Sequence, residues 1–264
     1  MFTLGRKIDL SYKTNLMIVL FSIATLVFSW LWLGELSAGI FLGGSVFLAW
    51  ALSRELNPAQ PYSAFLTVVF SLVNLLFFET IHILIVLWLL LLLRLVNGIT
   101  GKKLTLLDIL SLFGFTLFLS FNKESSLFLL IFTLAMTTIC LFSDRQKLGI
   151  IVTPIAGILF IVQNIWMDTL SLLNLAQLSI LNGVLITVSS LSVFVFWFLS
   201  KIPTPDDSGG TASPSRVFAG QLLFSVAVLL MVFDNQLSVN DQFLYLAVFA
   251  GVNLYYLSSN VLFN

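Results

Sequence analysis

Charge is scarce in this chain of 264 residues. Asp, Glu, Lys and Arg make up 9% of the residues, whereas a soluble domain carries about 25%. The twelve basic and twelve acidic residues balance, so no net positive field attracts a polyanion. This composition excludes a soluble globular domain, and it predicts no nucleic-acid partner.

Cysteine and histidine are almost absent. The chain has one of each, Cys140 and His82. A single cysteine within an apolar run provides neither an intrachain disulfide nor a cysteine-based metal motif. A single histidine excludes the classes of membrane enzyme that need several intramembrane histidines. The sequence therefore predicts no metal ion and no cofactor.

Apolar residues, in contrast, are in large excess. They make up 59% of the chain, which includes 26 Phe, and the mean hydropathy is +1.08. A soluble fold has no interior large enough for so much apolar surface. Polar residues divide the chain into segments that suit membrane helices, which need about 20 apolar residues each. This pattern predicts an all-α, polytopic transmembrane bundle of about ten spans, with eight or nine as alternatives, forming one integral membrane domain over residues 1–264. The predicted spans are 16–33, 37–52, 62–78, 80–96, 104–121, 125–142, 149–166, 181–199, 217–233 and 242–256.

Two apolar runs, 64–93 and 170–199, are each 30 residues long. One helix of that length would measure about 45 Å against a hydrocarbon core of about 30 Å. We therefore predict a turn near Glu79 that divides the first run into two helices, although that turn lacks Gly and Pro. In the second run, the more polar residues 169–180 are interpreted as an interfacial or re-entrant segment that precedes the span.

The distribution of Lys and Arg orients the predicted bundle. With ten spans, eleven of the twelve basic residues lie on the side of the two termini, and only Lys123 lies opposite. Because cytoplasmic loops collect Lys and Arg, both termini are predicted to be cytoplasmic. Residues 201–216 contain turn formers and no apolar periodicity, which predicts a flexible cytoplasmic loop between spans. No signal-peptide cleavage site follows the first span and no N-x-S/T sequon occurs, so we expect a multi-pass protein of a bacterial inner (plasma) membrane.

Glu79 and His82 form an E-x-x-H pair. Residues three apart share a face of a helix, and such a pair can supply two metal ligands or a proton relay. No second E-x-x-H pair and no Asp or Cys cluster lies near it in the sequence. The favoured interpretation is a polar turn between two spans that faces water.

Polar residues at the predicted cytoplasmic ends of the spans are the other candidates for function. Arg54 and Glu55 begin a polar loop that contains two prolines. This loop could dock a substrate or a partner, or it could serve only as a rigid connection.

The loop after the fourth span begins at Asn97 and carries Lys102 and Lys103. These lysines are predicted to lie at the membrane surface, where they can bind anionic lipid headgroups. Asp108 lies just inside the fifth span. Intramembrane acids are costly and are therefore functional candidates, although Asp108 is close enough in sequence to pair with either lysine.

Small residues recur at spacings that place them on one helix face. Gly39 and Gly43 form a G-x-x-x-G pair with Ser45 close by, and Ala247 and Gly251 form a weaker pair in the last span. Small residues let membrane helices approach closely, so these positions are predicted to pack helix against helix.

Three functional hypotheses follow. The predicted span interiors contain almost no charge, whereas ion-driven transporters keep charged groups there. The favoured hypothesis is a non-enzymatic subunit of a larger envelope, transport or secretion assembly, with the lipid bilayer and a membrane protein as partners. The first alternative is a small transporter or flippase for an apolar or lipid-like substrate. The second is a membrane-embedded lipid or polyprenyl enzyme.

Overall fold

The computed structural model describes residues 3–6, 8–142, 147–167 and 179–262. Within these residues the chain is helical, with one isolated bridge between Pro205 and Thr211 and no named strand. The helices are α1 (Lys13–Leu33), α2 (Leu36–Leu56), α3 (Ser63–Ser71), α4 (Ile83–Asn97), α5 (Leu106–Asn122), α6 (Leu127–Phe142), α7 (Lys147–Met167), α8 (Ile180–Leu199), α9 (Pro214–Phe233) and α10 (Val239–Leu262). The predicted interfacial segment 169–180 lies almost wholly outside the described residues.

The number of helices long enough to span a membrane is smaller than the number of spans that the sequence predicts. Five described helices are long and apolar enough to cross a membrane: α1, α2, α7, α8 and α9. Four apolar segments are shorter, because α3 with its 3-10 extension, α4, α5 and α6 each have between 10 and 17 residues. Helix α10 has 24 residues, but Asn240, Asp241 and Gln242 make its first turn polar. Fewer helices than the predicted ten or so are therefore long and apolar enough to span a membrane.

Hydrogen bonds sort the helix ends into two groups. At one end, which we name the arginine end, Arg6 of the N-terminal segment meets Glu55 at the end of α2 and Asp207 between α8 and α9. At the other, the aspartate end, Asp241 at the start of α10 meets His82 just before α4. Successive described helices consequently run in alternate directions between these two ends.

Helix α4 occupies the centre of the bundle. It packs against α2, α5, α6 and α9. Because other helices surround it, α4 needs no polar face, and its sequence is apolar up to the last turn. Its Trp88 is fully buried, and the indole Nε1–H donates to Thr116 Oγ1 of α5 over 2.9 Å. The buried indole N–H therefore has an acceptor inside the bundle, as burial of a polar group requires.

A non-helical segment, residues 76–82, divides the apolar run 64–93. Helix α3 tightens into a 3-10 turn over Leu72–Leu75, and α4 begins at Ile83. The side chain of Asn240 holds the intervening backbone: its Oδ1 accepts from the N–H of Glu79 over 2.8 Å, and its Nδ2 donates to the carbonyl of Phe77 over 2.9 Å. A distant asparagine thus holds a break in the helix that contains neither Gly nor Pro.

Helix α1 packs against α2 across a pair of glycines. A Cβ atom placed on Gly39 would lie 2.7 Å from the carbonyl oxygen of Leu26, and one placed on Gly43 would lie 2.7 Å from that of Ser22. Gly251 of α10 approaches the backbone of Thr67 in α3 in the same way, and Ala247 is buried. These three glycine contacts let the two pairs of backbones come closer than any side chain would allow.

Substitution of Gly43 by Ala is expected to destabilise the protein by about 1–3 kcal/mol, because the added methyl group overpacks the seam between α1 and α2. The matched control is Gly114→Ala in α5, where a Cβ atom would meet nothing within 4 Å. That control should be neutral or stabilise by up to about 1 kcal/mol, since Ala has the higher helix propensity. Thermal unfolding in detergent measures both, and equal shifts would contradict the prediction.

Candidate functional site

The carboxylate of Glu55 is the centre of a charged network at the arginine end. Its side chain is 1% exposed, and its Oε1 accepts from Arg94 Nε over 2.9 Å and from Arg6 Nη1 over 3.2 Å. Arg6 also donates from Nε and Nη2 to the two oxygens of Asp207, over 2.7 and 2.9 Å. These bonds join the N-terminal segment, α2, α4 and the loop between α8 and α9.

Hydrogen bonds to backbone carbonyls complete the same network. Asn97 Nδ2 donates to the carbonyl of Glu55 over 2.9 Å, and Gln221 Nε2 of α9 donates to that of Leu56 over 2.6 Å. Arg216 donates to the carbonyls of Val96 and Leu95 at the end of α4, over 2.9 and 3.1 Å. A cation there satisfies carbonyls that the helix leaves unpaired and complements its dipole.

Arg6 is held in its charged form. Burial opposes the charge, but the carboxylate of Glu55 and the hydrogen bond to Asp207 outweigh that cost and raise the pKa of the Arg6 guanidinium above its ordinary value. The network contains four guanidinium groups against two carboxylates, from Arg6, Arg54, Arg94 and Arg216 against Glu55 and Asp207. The arginine end is therefore electropositive.

The loop 201–216, whose flexibility stays a prediction, makes specific contacts in the structure. Asp206 Oδ1 accepts from the hydroxyl of Ser208 over 2.8 Å and from the backbone of Gly210 and Ser208 over 2.7 and 2.9 Å. These bonds, above all that from the hydroxyl, hold the pKa of Asp206 below its ordinary value. The N–H of Asp207 donates to the carbonyl of Ile99 over 3.0 Å. The loop is thus fixed on the bundle end, where it presents Asp207 to the network.

Asp108 caps α5 and holds the N-terminal segment. It forms a capping box with Thr105, and its two oxygens accept from the backbone and the hydroxyl of Thr3, both over 2.6 Å. The predicted alternative, a pairing with Lys102 or Lys103, does not occur, since both lysines are exposed and no ion pair joins them to Asp108. Asp108 therefore holds two segments together with hydroxyl and amide donors.

The aspartate end carries the predicted Glu79 and His82, but not as two residues on one helix face. Both lie in or at the end of the non-helical segment 76–82, between α3 and α4, so the alternative of a shared helix face does not apply. His82 Nδ1 lies 2.5 Å from Asp241 Oδ2, and its backbone N–H donates to Asp241 Oδ1 over 2.9 Å. Glu79 is exposed. Among the described residues, no group of three or more His, Cys, Asp and Glu has the arrangement of a metal site.

Two further polar contacts close the aspartate end. Ser125 Oγ, just before α6, donates to Asp234 Oδ2 over 2.5 Å, and burial raises the pKa of Asp234 above its ordinary value. Ser120 Oγ of α5 donates to Gln163 Oε1 of α7 over 2.6 Å. Each contact joins segments that are far apart in sequence.

An apolar groove lies near the aspartate end between α5, α6 and α7. Its volume is about 430 Å³, within the size range of small-molecule sites. Apart from Gln163, the lining of the groove is apolar, and this apolar character suits a hydrocarbon chain. The lining residues are Leu117, Phe121, Leu129, Leu159, Val162, Gln163 and Trp166.

Sequence reasoning found part of the charged network. It singled out Arg54, Glu55 and Asn97 on local polarity, but it missed Arg6, Arg94 and Asp207, whose roles depend on contacts with distant segments. Basic residues at predicted span ends were the available signal for Arg6 and Arg94, and they were used only for topology.

Comparison with protein-family models, curated proteins and solved structures finds no match to this chain. The chain is all-helical in its described residues, and its five long apolar helices are compatible with a helical membrane protein. Any more specific function must be inferred from the geometry of the molecule.

Substitution of Glu55 by Gln is expected to destabilise the protein by about 3–5 kcal/mol, because two guanidinium groups then lose a buried counter-charge. The matched control is Glu35→Gln at the other end of α2, where the side chain is exposed and makes no capping bond. That control should shift stability by less than about 0.5 kcal/mol. Chemical unfolding in mixed micelles measures both variants.

Addition of Arg94→Met to Glu55→Gln should recover part of that loss, since it removes a cation left without its partner. Strict additivity of the two substitutions would contradict a direct Glu55–Arg94 interaction.

Proposed function

We propose that this chain is a non-enzymatic, multi-pass subunit of a larger assembly in a bacterial inner membrane. The observation that carries the proposal is the exposure of α1. This helix packs mainly against α2, and only Ile18, Thr25 and Ser29 among its residues are buried. Most of its surface is therefore available to another membrane protein.

The exposed side of α1 is aromatic as well as aliphatic. Phe28 and Trp32 stack with ring centroids 6.0 Å apart, and Leu31 and Trp32 are 74% and 73% exposed. Phe and Trp are enriched in the cores of protein interfaces because they contribute large, rigid contact areas. This composition supports a role in subunit contact.

The engagement of the candidate polar residues supports a non-enzymatic role. Glu55, Asn97 and Asp108 each hold two chain segments together, and His82 is bound to Asp241. A general acid or base must reach a substrate, whereas these side chains face one another. The enzyme hypothesis would have to rely on Glu79, which lies exposed on a loop.

We further propose that the arginine end is cytoplasmic and that the shorter helices also cross the membrane, which gives ten crossings. The bias of Lys and Arg toward that end supports the orientation. The alternation of helix directions supports the number of crossings, and α4 is covered by its neighbours, so its short length exposes few polar groups to lipid.

Photo-crosslinking from α1 tests the subunit role. A photoreactive phenylalanine analogue at Leu20 or Leu31 should capture the same membrane protein, identified by mass spectrometry, because both positions face outward. The matched control is Ile158 on α7, which is 60% exposed and apolar. Capture of lipid alone from both α1 positions would contradict the proposal.

The apolar groove favours a second function, the movement of a lipid-like substrate. Substitution of Leu159 by Trp fills the groove, so it should reduce the scrambling of a fluorescent phospholipid in proteoliposomes to the rate of protein-free liposomes. The matched control is Ile158→Trp, which adds the same side chain to the adjacent outward position. Wild-type protein that gives no scrambling above protein-free liposomes would contradict this function.

A further inference from the structure

Four lysines at the arginine end have no carboxylate partner in the described part of the chain. All four are exposed, and none of them takes part in an ion pair with the described residues. The described arginines at that end are, in contrast, partly buried, and three of them bind carboxylates or carbonyls of the bundle. An ammonium group is compact and strongly hydrated, which suits a polar phase outside the protein. The four lysines are Lys13, Lys102, Lys103 and Lys201.

The two kinds of cation lie on different helices. Arg54, Arg94 and Arg216 lie near the ends of α2, α4 and α9, and more than half of the residues of each of these helices are buried. The four lysines lie at or next to the ends of α1, α5 and α8. Helix α1 packs mainly against α2, α5 mainly against α4 and α6, and α8 mainly against α9 and α10, so each leaves one side uncovered. The lysines therefore border the outer surface of the bundle, which meets lipid in a membrane.

Exposed apolar side chains lie within four residues of these lysines on all three helices. Leu16 of α1 and Leu106 of α5 are 42% and 49% exposed. Trp197 of α8 is 51% exposed, and the ammonium nitrogen of Lys201 lies 4.6 Å from the centre of its ring. A cation at the border of an exposed apolar surface is typical of residues at the level of lipid headgroups.

The two ends of the bundle differ in charge. Among the described residues, basic residues outnumber acidic ones eight to five at the arginine end, whereas the aspartate end has one lysine and one histidine against five acids. All five acids at the arginine end accept hydrogen bonds from other groups of the chain, and none forms an ion pair with a lysine. The counter-charge of the exposed lysines therefore comes from outside the described chain, and an anionic leaflet supplies one.

We propose that Lys13, Lys102, Lys103 and Lys201 bind the phosphates of anionic phospholipids in the shell of lipid around the arginine end. The acyl chains of these lipids lie against the exposed apolar sides of α1, α5 and α8, and their phosphates lie at the level of the ammonium groups. The headgroup contact predicted for Lys102 and Lys103 is thereby extended to two further helices. This role rests on the membrane location of the chain and is independent of the subunit role, because no partner protein takes part in it.

Spin-labelled lipids in phosphatidylcholine vesicles that contain the purified protein test this role. Electron paramagnetic resonance measures the fraction of a labelled lipid that is immobilised at the protein surface. At low salt, labelled phosphatidylglycerol should associate with the wild type at least about twofold more strongly than labelled phosphatidylcholine. A surface lysine favours an adjacent anionic headgroup about fivefold, and only part of the lipid shell adjoins a lysine. Substitution of all four lysines by Gln should bring the ratio of the two association constants to about one.

The matched control is substitution of the same four lysines by Arg, which keeps every charge and should keep the preference for phosphatidylglycerol. Lys123→Gln removes one charge from the aspartate end and should also keep it. At about 1 M salt, where the Debye length is about 3 Å, the preference of the wild type should disappear. That measurement needs no variant, so it is decisive even if a variant does not fold. Equal association of the two lipids with the wild type at low salt would overturn the proposal, as would a preference that survives the substitution of all four lysines by Gln.

Discussion

The burial of one carboxylate, that of Glu55, is the constraint on which the arginine end depends. An ionised carboxylate is very costly in an apolar environment unless charged and hydrogen-bonded partners surround it. Arg94 and Arg6 both bind its Oε1, whereas its Oε2 is buried with no hydrogen-bond partner among the described residues. The two arginines thereby fix α4 and the N-terminal segment relative to α2. Because Arg6 also binds Asp207, the loop before α9 is drawn into the same network. A single buried charge thus organises four segments.

The rest of the bundle follows a similar rule with weaker groups. Inside a membrane, lipid competes with apolar side chains on equal terms, so close packing and directional hydrogen bonds must select which helices meet. Glycine contacts select α1 with α2, and polar side chains select most other pairs at their ends. Asn240 and Asp241 do this at the aspartate end, where they hold the segment before α4 against the start of α10. Several of the few polar residues in the chain thus join two segments.

This division explains what could be predicted from the sequence. Hydropathy is a local property, and it located most helix starts and ends to within a few residues and indicated a break near Glu79. It overestimated the length of α3, because an apolar run does not show where a helix stops. The break before α4 is stabilised by Asn240, which is 161 residues away from Glu79 in the chain, and Asp108 is bound by Thr3, 105 residues away. Contacts at such separations leave no periodic signal, so the pairings of the site were beyond sequence reasoning.

Whether a buried polar group has a hydrogen-bond partner shows whether folding explains its place in this molecule. A buried polar side chain whose partners lie within the bundle, such as Asp108 or Trp88, is explained by folding alone. Trp50, Ser53 and Arg54 each bury a donor to which the described residues return no hydrogen bond, and so do Ser126 and Tyr245 elsewhere in the bundle. Burial of a donor without an acceptor costs stability, so apolar residues at such positions are expected to stabilise the bundle. The polar groups that folding explains are therefore those whose partners lie in a distant segment of the described chain.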